Sequence, residues 1–548
     1  MTERSWKTRT VAPELVQRYL DEGWWTNETL GQMVASGLAG QRDAAFNVHS
    51  AIRPWSGTFG EIDDRARELA GWLAGRGVGP GSVVVMQLPN WAEAGIAFWA
   101  ATYLGAVVVP VVHFYGAKEV RYILDTVEPE VVITIDRFGP SDHLATYADL
   151  LADRPDTTWL LVSASPVDPA AAALPERATP FDQALGGPRL EEALPVDPDA
   201  PAVIAFTSGT TRDPKGVIHS HRTIGFETRQ LNGMFPTGGP PQITGAPVGH
   251  FIGMVNAFLV PLLRSRPVNL VDVWNPTEIL RLMDDEGLGL TGGATYFVTS
   301  LLDHPDFADR HLKLMPFAGL GGSPVPIAVM ERLHSLGIDA FRSYGSTEHP
   351  SITGCSLADP VEKRNTTDGY ALPGVEIRLT DEGEILSRGP DCFVGYVDPS
   401  LTEAVFDEDG WYRTGDIGVL DDQGYLAITD RISDVIIRGG ENISAQEVEE
   451  LLIQLDGVAE VGVVAVPDDR FGERAAAVFR LVEGAEPPDL ATVRAHLEAA
   501  GLARQKWPEL LHHVPEFPRT PSGKVQKFRL REELRAGRLH PYDPERPS

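Results

Sequence analysis

Hydrophobic and polar positions along this chain switch repeatedly between two periods. Over residues 58–73, Ile62, Ala66, Leu69, Ala70 and Leu73 recur at helical spacing, a Gly-Pro-Gly turn follows, and residues 83–88 form a continuous β-rich run. The same reading predicts helix over 91–104, strand over 106–112, helix over 117–124 and strand over 131–135. Strands that are apolar throughout need cover on both faces, so the alternation predicts a mostly parallel sheet between helices. The stretch 95–112, GIAFWAATYLGAVVVPVV, is about as long as a membrane span. Gly105 and Pro110 interrupt it, and it reads as a buried helix followed by a buried strand. Residues 23–30, GWWTNETL, place Trp24 and Trp25 ahead of an amphipathic segment that they would dock. Residues 163–201 are rich in Pro, Ala, Asp and Glu without sustained periodicity, which predicts a surface excursion. Near the C-terminus, Ser444 and Glu447 form a capping-box pattern ahead of Val448, Leu451, Leu452 and Leu455 at helical spacing. Strand-like runs at 458–466 and 475–482 and a helical stretch at 490–497 complete a small α+β unit.

Composition narrows the classes. A chain of 548 residues exceeds one compact core, so at least two domains are expected. With 47 Lys and Arg against 77 Asp and Glu the formal net charge is −30, which repels nucleic acid and anionic membranes. Any grip on a polyanion must then come from a local site. Two cysteines, Cys355 and Cys392, stand outside any CxxC pair and offer neither a metal motif nor a disulfide framework. That usage, and an N-terminus without an apolar signal-peptide core, lead to the expectation of a cytoplasmic protein without stable membrane insertion.

Candidate chemistry concentrates in a few loops. Residues 207–216, TSGTTRDPKG, follow the apolar run 202–206 and bring together Thr207, Ser208, Gly209, Thr210, Thr211 and Lys215. Glycines admit backbone N–H groups close to an anion, hydroxyls add donors and lysine adds a charge, which together describe a triphosphate cradle. It is no Walker A loop, because Lys215 precedes Gly216 and a second strand-like run follows. Residues 344–348, YGSTE, combine Tyr344, able to stack on a purine, with Gly345 and Ser346, which allow close backbone approach to an α-phosphate. Thr347 is a donor there, and Glu348 is a carboxylate suited to Mg²⁺ and the one candidate metal ligand. Residues 412–416, YRTGD, put Asp416 at a predicted turn, where two carboxylate oxygens can accept from both hydroxyls of a ribose. Weaker patterns are AGLGGSP at 318–324, with Gly321, Gly322 and Ser323, and the Gly-flanked apolar stretch 246–254 around His250.

Taken in order, these motifs resemble the adenylate-forming superfamily of acyl-CoA synthetases, peptide-synthetase adenylation domains and luciferases, over nearly the whole chain. The resemblance implies an α/β fold: a large N-terminal ATP- and carboxylate-binding domain, 1–432, of helix-covered, mostly parallel sheets plus a β-barrel-like part, and a small mobile C-terminal α+β domain, 433–548. It implies that Gly321, Gly322 and Ser323 run along the adenine and the acyl pocket, that Asp416 clamps the ribose, and that Arg431 reaches the ribose and phosphate side. It further implies that His250 borders the carboxylate site, that Gly439, Gly440 and Glu441 line a CoA pantetheine tunnel, and that Lys524 bonds carboxylate and α-phosphate during adenylation. Two departures stand out. Ser433 occupies a hinge position usually held by aspartate or lysine, and Ser323 stands where alanine is common. The Phe-Asp pair with which amino-acid-adenylating domains hold an ammonium group does not occur near His250. The expected activity is that of an AMP-forming acyl-CoA synthetase using ATP, Mg²⁺ and CoA. Its substrate would be a short- to medium-chain or alicyclic carboxylic acid, lined by Phe251, Ile252, Met254 and the glycine turn. Transfer to a carrier-protein thiol or an amine, activation of another oxyanion such as nitrite, and a non-catalytic nucleotide-binding module stay open as alternatives, as does a homodimer.

Overall fold

The computed structural model describes residue 4 and residues 6–164, 175–207, 214–236, 238–432, 434–438, 441–468, 470–519 and 525–539, with backbone alone at 441 and 442. Its centre is an eight-stranded sheet in the order Gly395–Tyr396, Lys215–Ser220, Pro201–Thr207, Val107–Pro110, Val83–Gln87, Val131–Ile135, Thr158–Val162, Ala178–Pro180. All its pairings are parallel except those of Lys215–Ser220, which runs antiparallel to both neighbours. The continuous apolar strands have the predicted cause. Val84, Met86, Val131 and Ile133 enter one core, whereas Val83, Val85 and Val132 enter the core on the opposite face. Helix Ala92–Tyr103 is buried on every side, and helix Phe59–Ala74 begins at a Thr58–Glu61 capping box and lays Ile62, Ala66, Leu69 and Leu73 against it. The hydrophobic stretch is thus a core helix and a core strand, and no helix among the described residues is long and apolar enough to cross a membrane.

The excursion expected at 163–201 is partly built into the fold. Ala178–Pro180 pairs with Thr158–Val162 at the sheet edge, and Phe181 is buried beneath it. A three-residue pairing is too short to leave a periodic signal, so composition alone suggested a loop.

A second parallel set, Gly292–Gly293, Phe317–Leu320 and Asp339–Tyr344, continues antiparallel through Thr353–Gly354 and Tyr370–Ala371. The barrel-like portion is built on a four-stranded antiparallel sheet, Glu376–Leu379, Glu384–Arg388, Tyr412–Leu420 and Leu426–Arg431. The smaller C-terminal unit has Glu441–Ile443, Ile436–Arg438, Gly472–Leu481 and Val458–Asp468 in sheet order, with Leu510–His513 parallel to Gly472–Leu481. Helix Ala445–Leu452 starts where predicted, with the Ser444 hydroxyl accepting from the Glu447 N–H. The same cap joins the units: Ser444 Oγ donates to the Thr429 carbonyl, and the Asp430 carboxylate accepts from the Ala445 N–H.

Candidate active site

Chain direction assembles the site. The parallel strands Phe317–Leu320 and Asp339–Tyr344 end side by side, so Gly321–Ser323 and Gly345–Glu348 leave the same edge, where ligands of α/β sheets sit. Both loops are backbone against backbone. A Cβ on Gly321 would lie 2.6 Å from Ser343 Oγ and 2.8 Å from its carbonyl oxygen, and one on Gly345 would lie 1.8 Å from the Pro350 carbonyl oxygen. Gly322 adopts a φ of +75°, a conformation that a side chain would strain. The turn after Tyr344 is closed by the Ser346 N–H donating to the His349 carbonyl at 2.9 Å.

Three links hold the YGSTE loop to the rest of the site. First, strand Pro201–Thr207 turns back into Lys215–Ser220, with Thr207 opposite Lys215. Lys215 therefore opens a strand instead of riding on the loop. Tyr396, paired with Val217, sends its hydroxyl to the Glu348 carboxylate at 2.8 Å, and Lys215 Nζ lies 5.5 Å from the Tyr396 ring. Lys215 and Glu348, 133 positions apart in the numbering, thus share one aromatic neighbour. Second, His219 on the same strand lies with Nε2 2.7 Å from the Thr347 carbonyl oxygen, so Nε2 carries the proton and donates. Burial holds His219 down to about 4, and its ring stacks on Phe251 at 4.6 Å. Third, the Tyr344 hydroxyl donates to Asp416 Oδ2 at 2.6 Å, and Arg431 Nε meets Asp416 Oδ1 at 2.8 Å. Burial first, and the Asp416 charge second, raise the Tyr344 phenol well above its ordinary value. The Asp416 charge in turn raises Arg431.

Asp416 is not at a turn, as expected, but inside the long strand Tyr412–Leu420, opposite Arg431 in register. Gly415 at a φ of +73° and a register shift at Ile417–Gly418 bend that strand locally, which explains why Thr-Gly-Asp looks like a turn.

His250 precedes helix Phe251–Phe258. Burial lowers it to about 4, and its Nε2 has no hydrogen-bond partner among the described residues. Phe251 and Met254 are buried beside it, whereas Ile252 is 41% exposed and faces away from that lining. Ser208, Gly209, Thr210, Thr211, Ser433, Gly439, Gly440, Lys524 and the side chain of Glu441 lie outside the described residues.

Sequence reasoning passed over the supports behind these loops. His349 is fully buried, with Nδ1 2.8 Å from Ser387 Oγ and Nε2 3.2 Å from Asp391 Oδ1. Asp391 also accepts from the Ser351 N–H, and the Ser351 hydroxyl donates to Glu227 at 2.9 Å. Nothing local marks Tyr396, His219 or Asp391, because each works on a residue dozens of positions away.

The residues present fit a bound nucleotide and a cation. At Gly321 and Gly345 a Cβ has no room, so at these two positions the loops offer backbone alone. No group of three or more His, Cys, Asp or Glu among the described residues is placed to hold a metal alone. A lone Glu348 suits Mg²⁺, which binds through one or two carboxylates together with substrate phosphates.

The chain is similar to known proteins over most of its length. The family model described as AMP-binding enzyme matches residues 40–397, and that of the AMP-binding enzyme C-terminal domain matches 447–524. The medium-chain fatty-acid–CoA ligase of Escherichia coli is 32% identical over 531 residues, covering 94% of this chain and 92% of that protein. The 3-(7a-methyl-1,5-dioxo-octahydro-1H-inden-4-yl)propanoyl:CoA ligase of Rhodococcus jostii is 37% identical over 487 residues, 87% of this chain and 93% of that protein. Among solved structures, ATP-bound MatB from Rhodopseudomonas palustris superposes with a TM-score of 0.80 at 27% identity, covering 92% of this chain and 99% of that one. With both parts matched in order and the relatives covered over nearly their full length, the chain belongs to the AMP-binding enzyme family.

Proposed function

We propose that this protein is an AMP-forming acyl-CoA synthetase: a carboxylic acid and ATP give an acyl-AMP and pyrophosphate, and CoA then takes the acyl group and releases AMP. The observation that carries the reading is the gathering of Lys215, Glu348, Tyr344, Asp416 and Arg431 around the strand edge of the YGSTE loop. A carboxylate resists attack by a thiol because its leaving group would be oxide. Activation as a mixed anhydride splits that step into two easier ones.

The chain's own work is positioning and charge. Thr207 to Lys215 grip the departing pyrophosphate, Thr347 donates to the α-phosphate, and Glu348 holds Mg²⁺, which neutralises phosphate charge when bound. Tyr344, with Gly345 and Ser346, lines the base and α-phosphate, Gly321, Gly322 and Ser323 run along the adenine, and Asp416 with Arg431 clamps the ribose. His219 acts one step back, by fixing the Thr347 carbonyl. Lys524 neutralises charge where carboxylate and α-phosphate meet, and Gly439, Gly440 and Glu441 line the pantetheine path. Because Lys524 and the latter segment serve different half-reactions, the C-terminal domain, 433–548, rotates about Ser433 between steps.

His250, Phe251 and Met254 suit a compact aliphatic or alicyclic acid. The medium-chain and bicyclic acyl groups named for the Escherichia coli and Rhodococcus jostii relatives fall within that range. The test is mass spectrometry of products from purified protein with ATP, Mg²⁺ and a panel of carboxylic acids, with and without CoA. Acyl-CoA appearing together with AMP is the expected result. Acyl-AMP that accumulates despite CoA would assign another acceptor, and no AMP with any acid would refute the synthetase.

A further inference from the structure

One short segment holds Glu348 at both ends. The Phe393 N–H donates to the Glu348 carbonyl at 2.8 Å, and the Tyr396 hydroxyl donates to Glu348 Oε1 at 2.8 Å. The segment is itself fixed to the strand that Lys215 opens: the Val394 N–H donates to the Ile218 carbonyl at 2.9 Å, and the Val397 N–H to the Gly216 carbonyl at 2.8 Å. Tyr396 is held in turn. Its side chain is buried, its ring lies edge-on to Phe393 at 4.8 Å, and its N–H donates to Thr402 Oγ1 at 2.8 Å.

An ionised carboxylate only accepts, so the proton in the Tyr396–Glu348 bond belongs to the phenol. Burial first, and the Glu348 charge second, raise that phenol above its ordinary value, and it stays a donor throughout the neutral range. The two oxygens of Glu348 are therefore unequal. Oε1 is engaged by Tyr396, whereas Oε2 is not enclosed and has no partner among the described residues. A cation chelated by both oxygens would have to share Oε1 with the phenol.

Two hard cations differ in what they ask of such a carboxylate. Mg²⁺ demands near-ideal octahedral geometry at about 2.0–2.1 Å, whereas Ca²⁺ takes roughly six to eight oxygens at about 2.3–2.6 Å and accepts both oxygens of one carboxylate. We infer that Tyr396 is a positioning residue that leaves Glu348 one free oxygen for a cation and so selects Mg²⁺ over Ca²⁺; this rests on the proposed role of Glu348 as the Mg²⁺ ligand. Lys215 Nζ lies 5.5 Å from the same ring, so the residue that aims the carboxylate also stands beside the charge at the phosphate end.

Tyr396→Phe deletes the hydroxyl and leaves the ring, its packing and its contact with Lys215. ATP is titrated calorimetrically into the full chain in EDTA, in Mg²⁺ and in Ca²⁺. The wild type should bind ATP more tightly in Mg²⁺ than in Ca²⁺. Groups that orient a metal's ligands are worth about 10–100-fold in metal affinity, so the gain in ATP affinity that Mg²⁺ brings should fall about tenfold or more in Tyr396→Phe. The affinity in Ca²⁺ should hold or rise, and that in EDTA should match wild type, which also checks that the variant folds. An unchanged preference for Mg²⁺ over Ca²⁺ in Tyr396→Phe would overturn the inference. So would a wild type without that preference, or an equal loss in all three buffers, which would leave Tyr396 a support for packing alone. Glu348→Gln separates this from the reading beneath it. If that variant keeps the whole Mg²⁺ gain, Glu348 is no ligand and both fall; if it loses the gain while Tyr396→Phe does not, only the role of Tyr396 falls. A wild type that binds no ATP in any buffer would refute the synthetase itself.

Discussion

Gly345→Ala tests the core of the site with the smallest possible change. The added Cβ would sit 1.8 Å from the Pro350 carbonyl oxygen and 2.5 Å from its carbon. Ordinary contact begins near 3.4 Å, so one side must move by about 1.6 Å, and both obstacles are backbone that cannot rotate away. The residues between them are Ser346 to His349, which include Thr347 and Glu348. Displacement of about 1 Å at a reacting centre costs roughly a hundredfold in rate. The expected loss in adenylation is therefore about 10²-fold, or ~2.7 kcal/mol. ATP–pyrophosphate exchange measures it without CoA, and urea unfolding run alongside checks that the chain still folds. Tyr344 and Ile352, on either side of this loop, belong to a small core, so the unfolding measurement is what separates lost adenylation from lost folding. A variant that folds and exchanges within about threefold of wild type would refute the geometry on which the site assignment rests.

Other consequences follow from the same contacts. Asp416→Asn removes the charge facing Arg431 and weakens the Tyr344 bond, so ATP affinity should fall about tenfold in a direct titration; unchanged affinity would take Asp416 off the ribose. His219 has a folded value of about 4 against roughly 6.5 when unfolded, so between those pH values the unfolded chain takes up a proton that the folded chain refuses. Its contribution to stability is therefore full above pH ~6.5 and is lost as pH falls towards 4. In His219→Gln the slope of unfolding free energy against pH across that window should flatten relative to wild type; identical slopes would contradict a buried neutral imidazole. Lys524→Ala should lower adenylation by about 10²–10³ while still converting preformed acyl-AMP and CoA to acyl-CoA. Equal loss in both half-reactions would remove the proposed division of labour.

Much was legible before any coordinates. Continuous Val and Ile runs can be satisfied only by cover on both faces, and Val83 to Met86 divide between two cores as that requires. The Ser444 cap is a local signal, spelled within four residues and realised where it was read. The site loops were legible for a related reason: a strand followed by Gly, Ser and Thr carries its chemistry in consecutive residues. What failed were features whose cause is distant. Asp416 was read at a turn because the bulge and the pairing with Arg431 that keep it in a strand depend on another strand.

The sequence by itself determined the element types, the two-part organisation and which loops carry the candidate chemistry, since period and short motifs act over a few residues. Only the tertiary structure decided what stands behind those loops. Tyr396 reaches Glu348 across 48 positions, His219 reaches Thr347 across 128, and Gln230 reaches Ser351 across 121. A single chain contains no local record of such pairings, because they arise when separate strands and helices pack, and packing alone creates the close approach at Gly345.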